Sequence, residues 1–443
     1  MADWLNMTAC DLGRGIGSGE IDPVALTERY LAAIGAHEHK DRIYARLTVD
    51  RARAEAAAAS DRAKNNVRRG LLDGVPISWK DLFDTSGTGT EAGTALLKGR
   101  VPNKDADVLA NATRAGLVCL GKTHMTELAF SGLGLNTVTE TPPNSTNPAL
   151  VAGGSSSGAA TSVAFELAAA GIGSDTGGSV RIPAAWNDLV GLKTTLGLLS
   201  TKGVVPLCAS FDTVGPLCRS VEDAAELMAV MSGDAAPDLS GASLKGKRFM
   251  VLETVALPGC REKPLEAFEN AVSRLAAAGA TIIRGEIPEV ARAMELTGCL
   301  FTSEAYAQWH NEIEAKPDTM FPPVRERFRA GRAYSAVEYI ESWQELRQVR
   351  VVYKRATAGY DGVLVPSSPI LPPDIERLMS DHEYFIRENL MALRNTRIGN
   401  LMGLCGLTLP TDTSTCGITI LCDPFAEAKL LRMGVAMESA IKT

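Results

Sequence analysis

A glycine- and serine-rich segment, residues 149–180 (ALVAGGSSSGAATSVAFELAAAGIGSDTGGSV), constrains this chain of 443 residues more than any other feature. It contains seven glycines and six serines but only two charged residues, Glu166 and Asp175. Two Gly-Gly-Ser steps end at Ser155 and Ser179. Glycine permits close backbone approach, and consecutive N–H groups in such a turn can converge on one developing negative charge. The segment predicts a serine nucleophile beside an oxyanion hole, although its composition also fits an ordinary loop between a strand and a helix.

The rest of the chain alternates short apolar strands with helices, a pattern typical of an α/β fold. A polar stretch with Gly, Ser and Pro, residues 232–245, is a candidate link between two lobes. Strands are predicted near 75–79, 117–120, 248–252, 281–284, 362–365 and 418–421. Helices are predicted near 22–36, 49–66, 105–115, 125–130, 158–170, 265–277, 335–358, 386–400 and 426–441.

Composition excludes several functional classes. The 45 Lys and Arg against 52 Asp and Glu give a net charge of −7, with no basic stripe interleaved with aromatic residues, so we expect no nucleic-acid binding. No run of 18 apolar residues occurs, and the N-terminus lacks a basic region followed by an apolar one, so neither a membrane helix nor a signal peptide is expected. Nine scattered cysteines favour a reduced, cytoplasmic protein. With five His and no CxxC or HExxH, we expect no metal and no cofactor.

A serine nucleophile needs a base, and the sequence offers a lysine rather than a histidine. Lys80 ends the apolar strand predicted at 75–79, where removal from water would lower its pKa from about 10.4 and allow it to act as a neutral amine. The alternative is a surface lysine that pairs with Asp81 or Asp84. The residues alone leave both interpretations open.

Three segments carry a family resemblance: GVPISWKD, AGGSSSGAATSVA and GIGSDTGGSVRIPAAWNDLVGLKTT. In order and spacing they resemble the amidase signature family of serine amide hydrolases, with the densest match over about 70–220 and a later similarity at 360–366. The chain departs from the family in reading GGSSSG where many members have GGSSGG. Its C-terminal segment, LTLPTDTSTCGITILCDP, also lacks glycines often found there.

The resemblance implies a role for each matching residue. It implies a Ser–cis-Ser–Lys triad with Ser179 as nucleophile, Ser155 as bridging serine after a cis peptide bond, and Lys80 as base. It implies an oxyanion hole and residues that orient the serine turn. The hole would use the backbone N–H groups of Thr176, Gly177, Gly178 and Ser179, and the orienting residues would be Ser156, Asp175 and Arg181.

The resemblance also implies an α/β/α sandwich around a large mixed sheet of about eleven strands. Residues 1–443 would then form a single domain, and the 232–245 stretch would be an insertion edge rather than a linker. Its parts would be N-terminal helices (1–66), a catalytic core (70–225), a variable substrate-pocket half (240–400) and a C-terminal strand and helix (401–443). Candidate pocket residues are Met125, Phe130, Gly132, Leu133, Leu135, Trp186 and residues of the helices within 300–340, although each also fits the core.

The implied activity is hydrolysis of the carbon–nitrogen bond of a small-molecule amide through an acyl-enzyme, with aryl amides, esters and carbamates as further candidate substrates. The alternative is the glutaminase-like A subunit of a tRNA-dependent amidotransferase, which supplies ammonia to a partner protein. Both share the triad, so the motif does not distinguish them, and the oligomeric state is left open. A catalytically inactive homologue is disfavoured because all three triad positions are intact.

Overall fold

A computed structural model describes residues 4–442 of the chain, with eleven strands and sixteen α-helices in that range. The strands are β1 (Tyr44–Leu47), β2 (Pro76–Lys80), β3 (Val118–Thr123), β4 (Ala170–Asp175), β5 (Val190–Lys193), β6 (Thr213–Cys218), β7 (Arg248–Leu252), β8 (Thr281–Gly285), β9 (Gly362–Pro366), β10 (Cys405–Pro410) and β11 (Gly417–Cys422). The helices are α1 (Ala9–Ser18), α2 (Pro23–Ala36), α3 (Lys40–Ile43), α4 (Val49–Lys64), α5 (Asp107–Arg114), α6 (Ser157–Ala164), α7 (Arg181–Trp186), α8 (Val221–Ser232), α9 (Glu262–Ala277), α10 (Glu289–Glu295), α11 (Ser303–Ala315), α12 (Pro322–Arg329), α13 (Ala336–Thr357), α14 (Ile375–Ser380), α15 (His382–Met402) and α16 (Glu427–Lys442).

All eleven strands belong to one sheet, in the order β1-β3-β2-β4-β6-β5-β10-β11-β9-β7-β8. The sheet is mixed: β2 runs parallel to β3 and β4, whereas β4 is antiparallel to β6. Helices flank this sheet, so the predicted fold class and the expected number of strands are confirmed. The stretch after α8 leads to β7, which pairs with β9 in the same sheet. The sheet is therefore continuous across the segment first considered as a linker.

The order of the strands places the candidate site residues at one edge of the sheet. Lys80 is the last residue of β2 and Asp175 the last of β4, and these strands are parallel neighbours. The carboxyl ends of parallel strands meet at the same edge, so both side chains arrive beside the turns that follow β4 and precede α6. Phe249, Phe268 and Trp186 are among the buried apolar side chains that pack around the sheet.

Several local predictions fail. The helix predicted near 125–130 is a single 3-10 turn, Glu127–Ala129, because Leu128 and Ala129 adopt positive φ angles that no α-helix continues. The helix predicted over 158–170 ends at Ala164, because Ala170 pairs with Ile77 of β2 and tertiary pairing overrides the helix propensity of the alanines. Helix α1 has no counterpart among the predicted helices, since its three glycines lower helix propensity. At one of them, Gly13, a Cβ atom would lie 2.1 Å from the Leu71 carbonyl oxygen, so close packing requires the glycine. Within the described residues, no helix has the length and apolar character needed to cross a membrane.

Candidate active site

Lys80 is buried at the end of β2 and is held by two serine hydroxyls. Its Nζ lies 2.7 Å from Ser155 Oγ and 2.8 Å from Ser174 Oγ. Neither Asp81 nor Asp84 pairs with it: Asp81 binds Arg46 and Lys122, and Asp84 binds Arg100. The surface ion-pair interpretation of this lysine is therefore wrong.

Burial sets the protonation state of Lys80. Removal from water lowers the pKa of its ammonium to about 7, while the nearby carboxylates of Asp212 and Asp175 act in the opposite direction. Since no carboxylate touches the amine directly, burial outweighs their attraction. A large share of Lys80 is consequently a neutral amine at neutral pH, and a neutral amine can accept a proton.

The first Gly-Gly-Ser step places Ser155 against Lys80 and ties it to the second step. The Gly154–Ser155 peptide bond is cis, as the resemblance implies. The neighbouring Ser156 N–H donates to the Ser179 carbonyl oxygen at 3.2 Å, so the two turns are joined through their backbones. The Ser156 hydroxyl donates to the Ser174 carbonyl and accepts from the Ser174 N–H, at 3.2 and 3.3 Å. Ser156 thus fixes the strand end that carries one of the two hydroxyls bound to Lys80.

Ser174 is a site residue that the sequence interpretation missed. The hydrogen bond from Lys80 gives it a place in the cluster equal to that of Ser155. The available signal was its position in the chain: a buried polar residue at the end of a strand that is the parallel neighbour of the lysine strand. That pairing is a tertiary feature, so the local sequence did not distinguish this serine from its neighbours.

The second Gly-Gly-Ser step lies in residues 176–179, which we call the serine turn, and Asp175 organises it. Its carboxylate accepts hydrogen bonds from the N–H of Gly178 at 2.8 Å and of Val180 at 3.2 Å. Because the Gly178 N–H is directed at this carboxylate, the predicted set of oxyanion donors is corrected at that position. The N–H groups of Thr176, Gly177 and Ser179 have no acceptor within residues 4–442. These three are the donors left to bind a carbonyl oxygen.

A buried ion pair and helix α15 hold Asp175 in place. The Arg181 guanidinium binds it twice at 2.9 Å, with both side chains fully buried, and this charge keeps the pKa of Asp175 below its usual value. Asn400 donates to Asp175 and accepts from Arg181, while Thr396 donates to the Gly177 carbonyl oxygen at 2.7 Å. Both residues lie on α15 and were not predicted, since they are about 220 residues distant in sequence.

Gly178 shows why this turn requires glycine. Its φ of +137° belongs to a region that side chains rarely adopt. A Cβ atom there would lie 2.1 Å from Thr396 Oγ1, so a larger residue would also displace α15. The prediction that glycines serve close backbone approach in this segment is confirmed at this position.

Ser179 lines a small cavity that we call the serine cavity. Thr176, Gly177, Ser179, Phe130 and Arg397 are among the residues that line it. The Ser179 hydroxyl makes no hydrogen bond to another side chain within the described range, and the hydrogen bond from the Ser156 N–H to the Ser179 carbonyl oxygen connects it to the turn that carries Ser155. The serine is thus oriented by its backbone, and its hydroxyl is available to a molecule in the cavity.

A second, larger cavity of about 440 Å³ adjoins the serine cavity, and we call it the outer cavity. The two share four lining residues: Phe130, Phe301, Arg327 and Arg397. The wall of the outer cavity is largely apolar, with Phe385 and Leu390 of α15 among its members. Together the two cavities lead from the surface to Ser179.

Of the predicted pocket residues between 125 and 133, Phe130 lines both cavities. The predictions for Met125, Gly132 and Leu133 are corrected, because none of these three residues lines either cavity. Met125 and Leu133 are buried in the apolar core, where they pack among other hydrophobic residues. Gly132 faces Leu393 and Ile182, and its carbonyl accepts the Gly154 N–H. The carbonyl oxygens of Gly132 and Leu133 accept the N–H groups of Gly154 and Gly153, so these two residues hold the turn before Ser155. Leu135 and Trp186 are likewise core residues.

The 300–340 segment contributes as expected, through Phe301, Pro322 and Arg327. Helix α15 contributes more of the wall than the sequence indicated, because Asn389, Leu393 and Arg397 all face the cavities. A helix of mixed polarity has no periodic signal that separates a cavity-facing side chain from a core-facing one.

Comparison with known proteins identifies the family. The family model described as Amidase matches residues 25–431. The chain belongs to the amidase family. It is therefore an enzyme that hydrolyses carbon–nitrogen amide bonds, and the resemblance inferred from the three segments is confirmed.

Relatives of this amidase include proteins with different names. A 2-amino-5-chloromuconic acid deaminase of Comamonas testosteroni is 34% identical over 88% of this chain and 87% of that protein. The A subunit of a glutamyl-tRNA(Gln) amidotransferase from Chloroflexus aurantiacus is 30% identical over 99% of this chain and 97% of its own. A crystal structure of an amidase superposes with a TM-score of 0.89 at 29% identity, covering 98% of this chain and all of the other.

Proposed function

We propose that this amidase cleaves small-molecule amides through an acyl-enzyme on Ser179, with Ser155 as proton relay and Lys80 as base. The observation that carries the proposal is the 2.7 Å contact between Ser155 Oγ and a buried Lys80 whose pKa is lowered to about 7. A lysine in this state can accept the Ser155 hydroxyl proton while it donates to Ser174.

The reaction begins when Ser179 Oγ attacks the amide carbonyl carbon. The Ser179 proton passes to Ser155, and the Ser155 proton passes to Lys80. The carbonyl oxygen becomes an oxyanion, which the N–H groups of Thr176, Gly177 and Ser179 stabilise. Loss of one such donor typically costs about 10²- to 10³-fold in kcat.

The tetrahedral intermediate collapses by breaking its carbon–nitrogen bond. The leaving amine takes the proton from Ser155, which is replenished from Lys80, and an ester to Ser179 remains. Water then attacks that ester, gives a proton to the same relay and releases the acid. Because an ester intermediate forms, aryl amides, esters and carbamates are further candidate substrates.

The alternative function, an A subunit that hydrolyses glutamine for a partner, draws on the relative of that name. Glutamine carries an α-amino group, and the acidic side chain that lines the outer cavity, Glu326, is held by Arg325 and Arg329. Glutamine also carries an α-carboxylate, and Arg397 lines the same cavity, so a substrate panel, rather than the charge of the cavity wall, distinguishes the two functions.

The test is a panel of anilides, primary amides, carbamates and glutamine, assayed with the wild type and with Ser179→Ala. We expect hydrolysis of at least one simple amide faster than of glutamine, and a loss of about 10⁴-fold or more in kcat for Ser179→Ala. Ser157→Ala is the matched control, because Ser157 lies in the same segment and its buried hydroxyl has no hydrogen-bond partner within the described residues. Full activity in folded Ser179→Ala would contradict the mechanism, and glutamine as the best substrate would favour the amidotransferase alternative.

A further inference from the structure

Two arginines line the cavities that lead to Ser179: Arg397, which is buried, and Arg327, which is partly buried. Arg327 of α12 and Arg397 of α15 each line both the serine cavity and the outer cavity. Arg327 donates to the Phe130 carbonyl oxygen at 2.8 Å and stacks over the Phe130 ring at 4.2 Å. The Arg397 side chain makes no hydrogen bond and no ion pair with any residue in 4–442. One guanidinium is thus partly satisfied and the other is left without a protein partner in that range.

The described residues supply no negative charge to either arginine. Burial lowers the pKa of Arg397 to about 10, and burial together with repulsion by Arg397 lowers the pKa of Arg327. The acidic side chain in the cavity wall, Glu326, is more than half exposed and binds Arg325 and Arg329 instead. A buried cation without an acid is costly, and Arg397 stands in that position in the wall of the cavity that contains Ser179.

The Arg397 side chain lies directly against Gly177, in the turn of residues 176–179 that ends at Ser179. A Cβ atom placed on Gly177 would be 3.6 Å from Arg397 Cγ and 4.0 Å from Arg397 Nε. The Gly177 N–H is one of the three donors without an acceptor in residues 4–442. A group bound to Arg397 therefore lies only a few bonds from a carbonyl group held at that turn.

We propose that Arg397 and Arg327 form a carboxylate subsite, which selects small amides that carry a carboxylate a few bonds from the scissile carbonyl group. The inference rests on the proposed function in that it names the substrate class of the same site. A guanidinium presents its N–H groups in a planar fork that matches a carboxylate, and a carboxylate replaces the missing counter-charge of both arginines. The apolar wall of the outer cavity would hold the rest of the molecule.

The experiment compares three anilides that differ only in charge placement. Succinanilic acid carries the carboxylate on the acyl side, and 4-(4-methylpentanamido)benzoic acid carries it on the amine side. In 4-methylpentananilide an isopropyl group replaces the acyl-side carboxylate. Binding is measured by calorimetry to the Ser179→Ala protein, so that turnover is not required, and kcat/KM is measured with the wild type.

We expect at least one carboxylated anilide to bind about 10- to 100-fold more tightly than 4-methylpentananilide, which is the range for a charge-assisted hydrogen bond. Arg397→Met should remove this preference, so that the ratio of the two affinities, carboxylated to neutral anilide, falls to about one. Arg387→Met, which removes an exposed charge from the same helix, should retain the preference. The carboxylated anilide that binds more tightly shows whether the subsite contacts the acyl side or the amine side of the substrate.

Equal binding of charged and neutral anilides, or a preference that survives Arg397→Met, would overturn the inference. Arg327→Met provides the second variant and should weaken binding of the carboxylated anilide as well. Failure of the proposed function has a different outcome: the preference would be present in binding and depend on Arg397, yet wild type and Ser179→Ala would show the same turnover.

Discussion

The serine turn and the wall of the outer cavity differ in how their buried charges are paired. At the turn, Asp175 accepts hydrogen bonds from Gly178, Val180, Arg181 and Asn400. In the cavity wall, Arg397 is buried as well and has no partner within the described chain. The first region completes its own hydrogen bonding and keeps one geometry without a ligand. The second leaves a charge unsatisfied, as expected of a surface whose missing partner is a substrate.

Breaking the satisfied region should have the largest effect on stability. Asp175→Asn would leave Arg181 as a buried charge without its counter-ion, and loss of one member of a buried pair typically costs about 3 to 5 kcal/mol. Urea unfolding followed by circular dichroism measures this loss. An unchanged unfolding midpoint would show that Arg181 finds another partner and that the turn is less constrained than the hydrogen bonds indicate.

Urea unfolding of Arg397→Met tests the other region. We expect a change in stability that is smaller than that of Asp175→Asn and opposite in sign. Methionine retains much of the aliphatic contact and removes a buried charge that no acid in residues 4–442 balances, so we expect a gain of about 1 kcal/mol in the free energy of unfolding. A loss of stability similar to that of Asp175→Asn would mean that Arg397 is a structural residue, and the carboxylate subsite would lose its physical basis.

The two regions also differ in how well the sequence predicts them, because one depends on local motifs and the other on tertiary packing. The serine turn was largely predictable, because the order and spacing of three segments around Lys80, Ser155 and Ser179 resemble a known family, although the glycine and serine content alone also fitted an ordinary loop. Its partners Thr396 and Asn400 were not, since they join the turn only through tertiary packing. Ser174 was missed because the pairing of β2 with β4 decides its role.

The cavity was much harder to predict. Phe130 lines it, but Met125 and Leu133 are core residues of the same hydrophobic character. An apolar residue in a sequence predicts burial, but it does not indicate whether the side chain packs against protein or lines a cavity. Arg327 and Arg397 resemble ordinary helix arginines in sequence, and only the absence of an acidic partner among the described residues distinguishes them. The overall α/β fold was accessible because alternating strands and helices persist along the chain.

The pH dependence of kcat/KM tests the central claim, that a neutral Lys80 acts as the base, most directly. The ammonium form cannot accept a proton, so with a lysine pKa lowered to about 7 the fraction of active enzyme falls as pH decreases through that value. For an uncharged amide, the account predicts a plateau above about pH 8 and a tenfold loss per pH unit well below 7. A profile that remains flat from about pH 9 to about pH 5 would contradict it, because Lys80 would be protonated over much of that range.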